Sequence, residues 1–283
     1  ALLLEQGLQP RMLTTSGVID LEPALARFSS SIVGGLYAPD GEAGDLCMFT
    51  QALQKRCAEA GARFLFGHEV EGFEQAGGQA SGVRVLEKAT GRRDVQRGDA
   101  YVLALGAWTA PLLRSAGLDG DIHPVKGYSA TLRVLQPERA NAMSLIDEDH
   151  QLTITRLGDY MCVAGSAEMA GYDATVSAAH ARRRCHALVR RFEQLFPGVA
   201  DTSYPQYGAS LHASTPSGVP LIGRTRLEGL WINAGHGAAG WSHGPGSGQA
   251  LALLMSGESP LIDFPFQADM SLRRARPGAR RPR

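Results

Sequence analysis

The sequence predicts an α/β part joined to an α+β part, and three observations carry that reading. The run Tyr101-Val102-Leu103-Ala104-Leu105 is apolar throughout, as in a parallel-sheet strand buried on both faces, and a helical segment follows it. Residues 125–170 read as successive strands with no helix between them, and one amphipathic helix comes after. Near residue 215 the pattern returns to strand, glycine-rich turn and helix.

Taken in order, residues 1–40 read as irregular, with turn signals at Gly17, Pro23 and Gly34-Gly35. A loop over Pro39–Asp45 precedes Phe49, Leu53, Cys57 and Ala60 at helical spacing, with Gly61 as the stop. Arg63 to Phe66 is a predicted strand, and two more flank Ala76-Gly77-Gly78, the second alternating through Val83 and Val85. After Thr90-Gly91 comes the apolar strand, then a helix from Trp108 to Leu113. In the second part Gly158-Asp159 marks a tight hairpin between Leu152/Ile154 and Met161/Val163. Ala181, Cys185, Leu188, Phe192 and Leu195 form the apolar stripe of a helix that Pro197-Gly198 ends. Leu230 to Ala234 is a strand, and Gln249 to Met255 a helix closed by Ser256-Gly257.

The 283 residues carry a formal net charge of zero, which argues against a nucleic-acid partner. Six arginines fall between Arg273 and Arg283, a tail read as disordered, with contact to anionic lipid as the alternative. Cys47, Cys57, Cys162 and Cys185 lack zinc or redox spacing and are expected as reduced thiols, with no metal site. No apolar run approaches the roughly 18 residues of a membrane span. The opening Ala1-Leu2-Leu3-Leu4 is too short for a signal peptide, and without an initiator Met the chain is expected to begin inside something larger or to have been cut.

Gly235 to Gly240 matches G-x-G-x-x-G between a strand and a helix. A dinucleotide fingerprint needs a further parallel strand ending in an acidic residue about 20 positions on. Glu258 sits instead in a turn, so no complete βαβ unit fits. The glycines still allow close approach of backbone to a ligand, and a helix N-terminus favours negative charge. A tight structural turn is the competing reading.

Thr215-Pro216-Ser217-Gly218-Val219-Pro220-Leu221-Ile222-Gly223, then Asn233 to Gly237 and Gly240-Trp241, resembles the closing signature of FAD-dependent D-amino-acid dehydrogenases and their glycine-oxidase-like relatives. Val33–Leu36, Glu42–Asp45, Ala104–Trp108, Pro124–Ser129, Ile154–Arg156 and Leu195–Gly198 agree in the same order, so the resemblance covers nearly all of residues 20–257. It implies a discontinuous FAD domain of the glutathione-reductase type with an inserted, mixed and largely antiparallel substrate domain. The expected division is 1–40 as a lead-in, 41–119 and 215–260 as parts of the FAD domain, 120–214 as the substrate domain, and 261–283 as tail.

The implied reaction is oxidative deamination of a D-amino acid to a 2-oxo acid and ammonia, by hydride transfer from Cα to the flavin and with no side-chain base. The alternatives are another small amine or cyclic imino acid as substrate, or a non-catalytic relative that binds no flavin. The implied cofactor contacts are Val70, Ala104, Leu105, Gly106, Trp108, Gly223, Gly235, His236, Gly237, Ala238, Ala239, Gly240 and Trp241. The implied substrate contacts are Tyr128 and His212. A quinone or respiratory chain would take the electrons, at the inner face of the cell membrane or in the cytoplasm. Two departures stand out. The family's own phosphate-binding fingerprint, on its first strand and helix, is not in this chain. His212 stands where the family carries a carboxylate-binding arginine, and it offers at most two donors in place of a bidentate guanidinium.

Overall fold

A computed structural model describes residues 9–262 and Phe264; the arginine tail and Ala1–Leu4 lie outside the described residues. The chain divides into two compact units. The first comprises residues up to 54, 126–168 and 174–210, and the second 55–125, 169–173 and 211 onward.

In the first unit a five-stranded sheet runs in the order β11-β7-β10-β9-β8, from β7 (His123–Arg133), β8 (Leu145–Asp147), β9 (Leu152–Leu157), β10 (Tyr160–Glu168) and β11 (Gln206–Ser214). β7, β10, β9 and β8 pair antiparallel in turn. Period-two alternation sends Tyr128, Ala130, Leu132, Leu152, Ile154, Met161 and Val163 to one face. The amphipathic helix Ala179–Leu195 covers that face with Ala181, Cys185, Leu188 and Phe192, as its stripe predicts.

The lead-in is more ordered than expected. β1 (Arg11–Leu13) pairs with β2 (Gly35–Tyr37), and between them lie α1 (Thr15–Leu21) and a 3₁₀ helix, Pro23–Ser31. Thr14 caps α1, and Pro23 opens the 3₁₀ helix, where a missing N–H is harmless. The buried Glu22 carboxylate accepts from Ala142 and Met143 N–H at 2.9 and 3.1 Å, and Leu25 joins the sheet–helix core. These anchors are tertiary, so the local turn signals concealed them.

α2 (Leu46–Glu59) starts at Asp45, whose side chain accepts from Met48 N–H. None of its residues is buried, and Leu46, Met48, Phe49 and Leu53 are exposed. Of the two cysteines at apolar positions of predicted helices, Cys185 is buried and Cys57 is half-exposed.

The second unit holds two three-stranded sheets. β3 (His68–Ala76), β4 (Gln79–Glu87) and β5 (Arg93–Gln96) form an antiparallel meander, whose third strand the sequence reading missed. The other sheet has the order β12-β13-β6, from β12 (Leu221–Arg224), β13 (Leu230–Ala234) and β6 (Tyr101–Leu103). β13 runs parallel to β6 and antiparallel to β12. Leu230, Ile232 and Ala234 share a core with Leu103 and with Ala110 and Leu113 of α3 (Thr109–Ser115). Trp231 packs on the other side against Leu251 of the last helix.

Two strand expectations fail for one reason. Residues 63–66 form no strand, and β6 is an edge strand whose Val102 is 44% exposed, not buried on both faces. Neither segment has a neighbouring strand on its open side among the described residues, and without a partner apolar composition does not make a ladder. Residues 63–65 carry no regular element and Phe66 opens a turn, with the rings of Phe64 and Phe66 stacked at 5.8 Å.

Candidate functional site

Because β6 and β13 are adjacent and parallel, with Leu103 opposite Ile232, the turns that follow them leave the same end of the sheet side by side. Ligands of open α/β sheets collect at such carboxyl ends. The turn after β6 contributes Ala104, Leu105, Gly106 and Trp108, all exposed, before α3 begins. The turn after β13 contributes Gly235 and His236, a short 3₁₀ turn over Gly237–Ala239, and then the last helix of the described chain, which we name α5 (Gly240–Met255) after α4 (Ala179–Leu195). α5 begins nine residues earlier than its apolar spacing suggested, taking in the glycine-rich stretch and Pro245, because Ser247, Ala250 and Leu251 seat it against the sheet.

Local chemistry sets the shape of this turn. Gly235 has φ +88°, and a Cβ there would lie 2.8 Å from Thr215 Cγ2. Glycine is the residue that meets both conditions. Ser214 forms a backbone bridge to His236, so the end of β11 lies along the turn. His236 reaches Ser247 through Nε2 at 3.1 Å, and its ring lies 6.3 Å from that of His243. Burial and His243 hold the imidazole below its ordinary titration range.

Of the residues expected to meet a cofactor, Ala104, Leu105, Gly106, Trp108, Gly223 and Gly235 to Trp241 therefore belong to one sheet and its two turns. Gly223 lies in β12 opposite Ile232. Val70 is on the other sheet, opposite Val85, and packs against the same core. The two expected substrate contacts fall in different units. His212 is a half-buried residue of β11, three positions before Thr215. Tyr128 is 2% exposed on the helix-covered face of β7, and its hydroxyl donates to Glu168. Burial first, and then the Glu168 carboxylate, push its pKa up to about 12.

Sequence reasoning missed the supporting side chains. Thr215 and Ser214 close on the turn glycines, and Ser247 holds His236. Around Tyr128, Arg184 pairs with Glu168 at 3.3 Å and donates to Ser166, whose φ of +60° marks the bulge in β10. Such partners have no local signature. The hydroxyl of Thr215 was legible only as part of the Thr-Pro pair.

No group of three His, Cys, Asp or Glu side chains that could hold a metal occurs among the described residues. The site fits a flat ligand in one respect and a hydrogen-bond donor in another. At Gly106 a Cβ would meet nothing within 4 Å, so backbone there faces open space beside the exposed Leu105 and Trp108. Asn233, the penultimate residue of β13, keeps a buried Oδ1 with no hydrogen-bond partner.

A family model described as DAO, FAD dependent oxidoreductase, matches residues 1–254. A D-amino acid dehydrogenase of Methylobacterium sp. (strain 4-46) is 41% identical over 269 residues, covering 95% of this chain and 62% of that protein. One of Xanthobacter autotrophicus (strain ATCC BAA-1158 / Py2) is 39% identical over 263 residues, covering 93% and 60%. The chain thus spans less than two thirds of the length of these relatives. Among solved structures, glycine oxidase from Geobacillus kaustophilus superposes with a TM-score of 0.79 at 23% identity, over 96% of this chain and 69% of that one. L-proline dehydrogenase from P. horikoshii gives 0.77 at 21%, over 91% and 67%. At these identities the likeness is one of fold.

Proposed function

The chain belongs to the DAO family of FAD-dependent oxidoreductases, and from that premise we propose that it supplies the flavin-facing turns and the substrate portion of a D-amino-acid dehydrogenase. The observation that carries this reading is the pairing of the Ala104–Trp108 and Gly235–Trp241 turns at the carboxyl ends of β6 and β13. Bound FAD supplies the hydride acceptor that an amino-acid Cα–H requires, and the imine product hydrolyses to a 2-oxo acid and ammonia.

The chain's own groups then have distinct tasks. The N-terminus of α5, with the partial positive charge of a helix start, favours electron-rich edges of a ligand. Leu105 and Trp108 offer exposed apolar surface for a flat ring. His212 is the candidate carboxylate partner. Tyr128, its hydroxyl committed to Glu168, holds β7 to β10 and does not touch substrate in this reading. A quinone or respiratory chain is the proposed electron acceptor, with the protein in the cytoplasm or resting on the inner face of the cell membrane. No helix of the described residues is long and apolar enough to cross a membrane.

A hybrid tests this. The upstream third of the Methylobacterium relative is joined to this chain, and flavin content and amino-acid-dependent dye reduction are measured. We expect bound FAD and turnover of D-amino acids, with His212→Arg lowering KM by about tenfold to a hundredfold, the range of a restored charge-assisted pair. A flavin-free hybrid, or turnover of L-amino acids alone, overturns the reading. An unchanged KM in His212→Arg removes His212 from the substrate site.

A further inference from the structure

The hydrogen bonds around His236 fix where its proton sits. Ser247 Oγ lies 3.0 Å from the Gly244 carbonyl oxygen and 3.1 Å from His236 Nε2. A serine hydroxyl has one hydrogen, and a carbonyl oxygen only accepts, so that hydrogen goes to Gly244. Ser247 Oγ must then accept from His236, and Nε2 must carry the ring hydrogen. Ser247 is 5% exposed, so water does not compete for either bond. A neutral imidazole has one N–H, which leaves Nδ1 as a bare acceptor.

We propose that His236 is a positioning residue: held by Ser247 as the neutral Nε2–H tautomer, it pins the Gly235–Ala239 turn to α5 and keeps Nδ1 as a side-chain acceptor in a turn whose other residues have no polar side chain. The proposal rests on the reading of this turn as cofactor-facing, and it names the ligand chemistry that Nδ1 suits, an N–H or O–H donor. The surroundings favour the neutral ring. The groups recorded against it are His243 and Ser247 of α5 and the Ser214 backbone of β11, and none is acidic. The N-terminus of α5 also disfavours a cation.

The test needs no cofactor. Deuterium exchange of the full chain is read by mass spectrometry at two kinds of hydrogen, the amides of residues 235–239 and the imidazole C2–H of His236. The variants are Ser247→Ala, His236→Gln and His236→Asn. A glutamine places its amide nitrogen at the reach of Nε2, and an asparagine at that of Nδ1. We expect wild type and His236→Gln to protect the turn amides alike. His236→Asn and Ser247→Ala should exchange about tenfold faster, as loss of one buried hydrogen bond implies. The C2–H of wild-type His236 should titrate below the ordinary value of about 6.5. Protection retained by Asn and lost by Gln, no effect of Ser247→Ala, or an ordinary titration midpoint each overturns the proposal. An intact exchange pattern in a hybrid that takes up no FAD overturns the cofactor reading and leaves the pin standing.

Discussion

Replacing Gly235 by alanine should expose two separable costs. The first is conformational. At φ +88° an L side chain is strained by about 1–2 kcal/mol. The second is steric. The new Cβ would sit 2.8 Å from Thr215 Cγ2, well inside the roughly 3.5–4.0 Å at which carbon atoms rest. Overpacking of this kind costs about 1–3 kcal/mol, so Gly235→Ala should lose about 2–5 kcal/mol in all. Thr215→Ser removes Cγ2 while keeping the hydroxyl that bonds Val219 O at 2.8 Å. In that background the remaining neighbours, Leu221 N at 3.6 Å and Pro220 Cα at 3.7 Å, make ordinary contacts, and only the conformational cost should survive. Gly106→Ala is the control, because φ there is +54° with open space around the Cβ. The assay is urea unfolding followed by tryptophan fluorescence. All three tryptophans, Trp108, Trp231 and Trp241, belong to the second unit and report on it. If Gly235→Ala costs the same in both backgrounds, with coupling below about 0.5 kcal/mol, the steric part of the reasoning is wrong.

Three further outcomes are expected. Tyr128 has a folded pKa raised to about 12, so its contribution is complete below pH 10 and is lost as pH rises through 12; circular dichroism should show wild type losing about 2–3 kcal/mol across that window and Tyr128→Phe losing less. Burial would raise Asp147, but hydrogen bonds from Arg191 and His150 hold it below the usual carboxyl value, so its contribution is present above about pH 4 and lost as pH falls further. Arg191→Ala, which breaks the 2.6 Å pair, should cost about 3 kcal/mol in thermal unfolding at neutral pH and flatten that acid dependence. Val102→Lys should lower concentration-dependent association seen by light scattering, because it places a charge on the open edge of β6; unchanged association would mean that another surface is responsible.

The elements that read clearly from sequence are those whose burial follows one period. The α4 stripe and the Gly158-Asp159 hairpin are set by neighbours a few residues away, and both appear as expected. The turn glycines were legible for a similar reason, since a positive φ leaves a compositional mark. What could not be read depends on distant partners. Glu22 looks like a surface acid until Ala142 and Met143 are placed beside it. Apolar character was taken as a strand in residues 63–66 and as burial on both faces at Val102, but a strand needs a neighbour that composition does not name. Tyr128 falls within a motif, yet its alternation on β7 sends it under α4, and only the sheet's covered side decides that.

The parallel pairing of β6 and β13 has a kinetic consequence. Tyr101 meets Leu230 only after all five strands from β7 to β11 have been synthesised between them. During translation β6 is therefore a short apolar ribbon waiting for its partner, and long-range parallel contacts of this kind form slowly. Chaperone capture of the nascent chain should consequently peak between emergence of Leu103 and emergence of Ala234, then fall as β13 closes the ladder.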